Sequence, residues 1–153
     1  MYTTARRQLK FSSVDEIVPD LDRLMAGHQT VGKWTLGEIC NHLSKVFIGS
    51  VDGFANKAPL LLRVTIAPFI FRHILKTEQM AEGFNTPAEM MPGPGLDDRA
   101  EVEALRAAVR LYLANPNPVA EHPFFGKIGR NGWDRLHRIH CAHHLSFALL
   151  KQT

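Results

Sequence analysis

Cysteine is scarce in this chain. Cys40 and Cys141 are the two thiols in 153 residues, too few for a disulfide framework, and each falls inside a helix-like pattern that suits a buried, reduced side chain. Long apolar runs are missing as well. The most hydrophobic stretch, residues 59–71, is broken by Arg63 and Pro68 and is too short to cross a bilayer. Arg6 and Arg7 near the start have no apolar segment behind them, so no secretory signal is expected. Charge of one sign is nowhere concentrated: 18 Lys+Arg against 15 Asp+Glu leave +3 without a dense basic stripe, which argues against a nucleic-acid partner. Only 11 Gly and 9 Pro exclude low-complexity classes, and 45% hydrophobic residues exclude disorder. No stretch sustains the polar/apolar alternation of a half-buried strand. What remains is a single helical domain spanning residues 1–153, expected in the cytoplasm and without a membrane partner.

Helical periodicity fills most of the chain. Ser13 and Glu16 read as a capping box. Behind it Val14, Ile17, Val18, Leu21, Leu24 and Met25 follow helical spacing, with a kink or late start expected at Pro19 and an end at Gly27. Thr35 and Glu38 form a second capping box ahead of Ile39, Leu43, Val46, Phe47 and Phe54. A third apolar segment covers residues 59–80 and is interrupted by Pro68. Residues 82–98 hold Gly83, Pro87, Pro92, Gly93, Pro94 and Gly95, so they form a long irregular connection, either a lid over a pocket or a surface link. Val102, Leu105, Val109 and Tyr112 mark a further helix that stops at Asn115-Pro116. After His122-Pro123-Phe124-Phe125-Gly126, a last helix is expected from an Asn131 cap, with Asp134 at its third position, to Leu150. Four long helices with irregular connections make an all-α bundle the natural architecture.

Histidine is the residue in excess, eight in all, with four between positions 137 and 144. His140 and His144 lie about 40° apart on one helix face, and His137 and His143 flank that face by about 60° on either side. Trp133, Leu136 and Phe147 share it, so it points into the bundle, where imidazoles need partners. A divalent metal supplies one: His140 and His144 offer two nitrogens on adjacent turns, and His42 on the second helix is the candidate third ligand. Open coordination positions would then mark a catalytic site. A polar core network of hydrogen-bonded histidines is the competing arrangement.

Several stretches resemble one family. Trp34-Thr35-Leu36-Gly37-Glu38-Ile39-Cys40-Asn41-His42-Leu43 is similar to the second-helix motif of the DinB/YfiT-like metalloenzyme superfamily, and His140-Cys141-Ala142-His143-His144-Leu145-Ser146-Phe147 resembles its last-helix motif. His122-Pro123-Phe124-Phe125-Gly126 followed by Trp133 looks like a branch catalogued only as a DinB-like domain of unknown function. The resemblance runs over residues 7–147. It implies a four-helix bundle with up-down-down-up arrangement and a metal bound by His42, His140 and His144. Zinc or nickel is the expected ion, with iron or manganese as alternatives. Better-characterised members transfer low-molecular-weight thiols, so the implied partner is a small molecule, a thiol among the candidates. Many relatives place Arg-Gly-Gln after the last ligand, where Leu145-Ser146-Phe147 stands here.

The remaining candidates each carry two readings. Glu38 either orients His42 from one turn away or simply caps its helix with Thr35. His137 lines the pocket, and His143 bonds to a neighbouring helix, unless a small helix rotation brings one of them into the ligand set. His122 faces the pocket from its loop or belongs to a packing motif. Trp34 and Trp133 wedge the bundle ends, and His28 and His73 are read as surface or loop residues. Residues 60–71 could supply the apolar face of a homodimer. Against the enzyme stands a non-catalytic, dimerising helical module with a histidine polar core.

Overall fold

The computed structural model describes residues 5–151. Among them six helices dominate: α1 (Ile17–Ala26), α2 (Leu36–Asp52), α3 (Leu60–Thr65), α4 (Ala67–Thr77), α5 (Asp98–Ala114) and α6 (Gly129–Leu145). Two short strands, β1 (His28–Thr30) and β2 (Ala148–Leu150), and two 3-10 turns, Val14–Glu16 and Ala88–Met90, accompany them. The fold is mostly helical. α2 packs against both α5 and α6, α1 against α5, and α4 against α6. Leu21, Leu36, Phe47, Leu105, Tyr112 and Trp133 are fully enclosed where these helices meet.

Helix starts follow local chemistry closely. At α2 both halves of the capping box form: Glu38 N–H donates to Thr35 Oγ1 at 3.2 Å, and Thr35 N–H donates to Glu38 Oε2 at 2.7 Å. Thr35→Ala is expected to lower stability by about 1 kcal/mol in urea titrations, because it leaves a first-turn amide without its partner. The box expected at Ser13 does not form. Its side chain makes no cap bond, a 3-10 turn occupies Val14–Glu16, and Glu16 Oε2 instead accepts from Ser12 N–H at 2.6 Å. Pro19 supplies the reason: it lacks an amide donor and is tolerated only in a first turn, so regular helix starts late, at Ile17. Pro68 acts likewise in the first turn of α4 and divides the third apolar segment into α3 and α4.

The last helix departs most from expectation. It starts at Gly129 with Ile128 at the cap, so Asn131 lies inside it, and it stops at Leu145 rather than Leu150. Residues 148–150 pair antiparallel with β1, Thr30 opposite Ala148 and His28 opposite Leu150. Strands of three residues are too short to display an alternating pattern, and their partner lies more than a hundred residues away. α2 similarly ends before Phe54, whose ring turns back to stack on Trp133 at 6.0 Å. His28 is no surface residue: it is half-buried, its Nδ1 donating to the Leu24 carbonyl at 3.0 Å and its Nε2 meeting Asp98 at 3.1 Å. Both cysteines are buried thiols, and burial pushes each well above the usual thiol range.

Candidate metal centre

α2 delivers His42 on its second turn, and the last turns of α6 deliver His140 and His144. One ring nitrogen from each of the three lies within 4.8 Å of the other two. The α6 end is fixed by several devices acting together. The β1–β2 pair and the Val31 N–H bond to the Phe147 carbonyl, 2.8 Å, tie the chain after His144 to the segment leading into α2. Arg7 donates its backbone N–H to Ser146 O at 2.9 Å and a guanidinium N–H to Leu145 O at 3.0 Å. Arg6 donates to His143 O at 3.0 Å and to Ser146 Oγ at 2.8 Å. Two cations on the unsatisfied carbonyls of a helix C-terminus hold its final turn, and with it His144, in place.

The protonation pattern follows from geometry. His42 Nδ1 sits 2.9 Å from the Met90 carbonyl oxygen. A carbonyl only accepts, so Nδ1 carries the proton and Nε2 presents a lone pair. That lone pair faces His140 Nε2 at 3.1 Å. Among the described residues the His144 ring has no hydrogen-bond partner. Burial, assisted by Lys45, lowers His42 below the ordinary imidazole value despite the Met90 bond. Burial and the neighbouring His144 and His42 rings hold His140 well below it, and burial with His42 nearby takes His144 down to about 2. Three neutral imidazoles thus converge, His42 and His140 in direct contact and His144 beside them without a hydrogen-bond partner among the described residues.

Such a donor set fits a divalent cation. Nitrogens bound to one ion at ~2.1 Å each can be no more than ~4.2 Å apart, so small ring rotations close the present spacing. Trp34 walls the group, its indole stacked on His144 at 5.5 Å and tilted against His42 at 5.2 Å. By sequence Trp34 reads as a wedge at a bundle end; its ring contacts are with the candidate ligands His42 and His144. The Met90 carbonyl, which orients His42, could not be read from the sequence, because a backbone oxygen in a Gly/Pro-rich connection leaves no residue-type signal.

The other expected site residues fall elsewhere. Glu38 is engaged in the α2 cap. His137 is fully buried against Phe47, ring centroids 3.8 Å apart, and donates from Nε2 to Ser50 Oγ at 3.0 Å while Ser50 donates to Phe47 O. It belongs to the packed core, not to a pocket. His143 turns toward Arg6, whose Nη2 lies 3.3 Å from Nδ1, so its partner is the N-terminal segment instead of a helix. His122 serves its own turn: Nδ1 accepts from the N–H groups of Phe124 and Phe125, both at 3.0 Å. Its backbone pairs with Gly126, whose φ of 76° calls for glycine. The His-Pro-Phe-Phe-Gly stretch is therefore a packing motif, with the His122 ring stacked on Phe125 at 4.5 Å.

No helix among the described residues is long and apolar enough to cross a membrane. No curated protein and no solved structure shows significant similarity to the chain. A family whose description reads "protein of unknown function (DUF1569)" matches residues 3–151, nearly the full length, and the chain belongs to that family.

Proposed function

We propose that this chain is a divalent-metal-dependent enzyme acting on a small molecule, with His42, His140 and His144 as the ligands and a DinB-like four-helix bundle as the scaffold. The convergence of those three imidazoles within 4.8 Å carries the reading. Zinc or nickel suits three neutral nitrogens. With no carboxylate in the set, a bound ion would keep its full double charge, which favours an anionic ligand such as a thiolate. When bound, the ion would supply Lewis acidity and lower the pKa of a thiol or water reaching it. That chemistry suits transfer of a low-molecular-weight thiol or hydrolysis of a small electrophile.

The chain's own residues have separable tasks. The Met90 carbonyl fixes the His42 tautomer with Nε2 forward. Trp34 covers one side of the rings and keeps water from it. Arg6 and Arg7 hold the α6 end that carries His144. Elemental analysis of untagged protein is expected to find about one divalent ion per chain in the wild type and none in the His42/His140/His144 triple-alanine variant. Wild type that arrives empty and takes up no zinc or nickel on titration would leave the direct His42–His140 contact as the core of a non-catalytic polar network.

A further inference from the structure

The α3–α4 pair has apolar side chains that the fold does not use. α3 reads Leu-Leu-Leu-Arg-Val-Thr, yet none of its residues is buried. Leu60 is 69% exposed, Leu61 71% and Val64 62%, and Ile66 at 50% and Phe69 at 71% extend the patch toward α4. Isolated exposed apolar residues need no explanation, but a continuous patch does. Leu60, Leu61 and Val64 share one face of α3 by helical spacing. On α4, Ala67 and Ile74 turn inward, which leaves Phe69, Arg72, His73 and Lys76 along its exposed side.

The charge of this surface selects its occupant. Residues 53–77 include Lys57, Arg63, Arg72 and Lys76 and contain no Asp or Glu. Glu121 engages Lys57 at 2.9 Å and Arg63 at 3.2 Å. Arg72 and Lys76 have no ion-pair partner among the described residues. An isologous dimer through this face would set basic side chains against their own copies. An anionic bilayer matches both halves of the surface, the apolar tip and the basic pair Arg72 and Lys76 beside it. Being too short to span a membrane does not prevent a segment from lying in its interface.

We propose that α3 and α4 dock this protein on anionic lipid membranes, with Leu60, Leu61, Val64 and Phe69 entering the headgroup region and Arg72 and Lys76 meeting lipid phosphates. The proposal is independent of the histidine site. The test is sedimentation of the full chain with phosphatidylcholine vesicles prepared with and without phosphatidylglycerol. Binding is expected to the anionic vesicles, weakened by salt, and Arg72→Glu/Lys76→Glu should lower it by about tenfold or more. Leu61→Glu/Phe69→Glu should abolish it with an unchanged thermal melt, since both side chains already stand in solvent. Equal partition onto both vesicle types, or none onto either, overturns the proposal. So does a dimer in sedimentation velocity that Leu61→Glu dissociates while vesicles remain unbound, which would assign the face to a second copy of the chain.

Discussion

Zinc or nickel added to the metal-free protein should raise its melting temperature by roughly 10 °C once free metal exceeds Kd about a thousandfold, a gain of about 4 kcal/mol. The gain arises because the ion binds the folded arrangement of His42, His140 and His144, whereas the unfolded chain holds position 42 far from the other two. His144→Ala should weaken metal binding on the order of a hundredfold or more, since even residues behind a metal ligand are worth ten- to a hundredfold. His42→Ala should do the same and also free the Met90 carbonyl. His137→Gln provides the control: that ring is stacked on Phe47 and bonded to Ser50, so its loss should alter stability and leave metal uptake intact. Calorimetric titration of the four proteins separates the cases. An equal shift in wild type and triple-alanine variant would place the binding on other histidines.

The candidate centre was legible because its signal is local. His140 and His144 are four residues apart on one helix, and the capping box at Thr35 and Glu38 fixes the start of the helix that carries His42. Those two helices then had only to pack together. The neighbouring histidines were harder to place, because spacing alone puts His137 and His143 within one helical step of the same face. Only three-dimensional neighbours separate them: Ser50 and Phe47 claim His137, and Arg6 claims His143. The β1–β2 pair was invisible for a related reason. Its residues give no strand-like pattern of their own, and pairing depends on α6 returning the chain to the start of α2. The Ser13 cap failed because proline geometry at position 19 outweighed a short polar motif. Residue-type signals thus pointed to the candidate group of histidines, while backbone groups such as the Met90 carbonyl, which orients His42, required the fold.

Acid should unfold the metal-free protein well before its carboxylates are protonated. Burial, with His122 and Arg130 nearby, holds His137 well below the ordinary imidazole value, burial and Arg63 push His122 down to about 3, and burial with the adjacent rings holds His140 low. In the unfolded chain each returns to about 6.5. Because the folded values are depressed, their stabilising effect is complete above about pH 6.5 and is lost as pH falls, the unfolded chain alone taking up the protons. Each such histidine tilts the equilibrium by about 1.4 kcal/mol per pH unit, so these three together approach about 4. Against a total stability of roughly 5–15 kcal/mol, a drop from pH 7 to pH 5 removes a large share. Urea midpoints measured in chelator at pH 7.5, 6.5, 5.5 and 5 should fall steeply over the lower half of that series. His137→Gln, which keeps a donor for Ser50 and does not titrate, should flatten the slope by about a fifth or less, since His42, His143 and His144 are held low as well. Midpoints that stay level down to pH 5 would mean that these rings accept protons without unfolding, and the enclosure that makes three neutral imidazoles available to a metal would be far looser than their packing indicates.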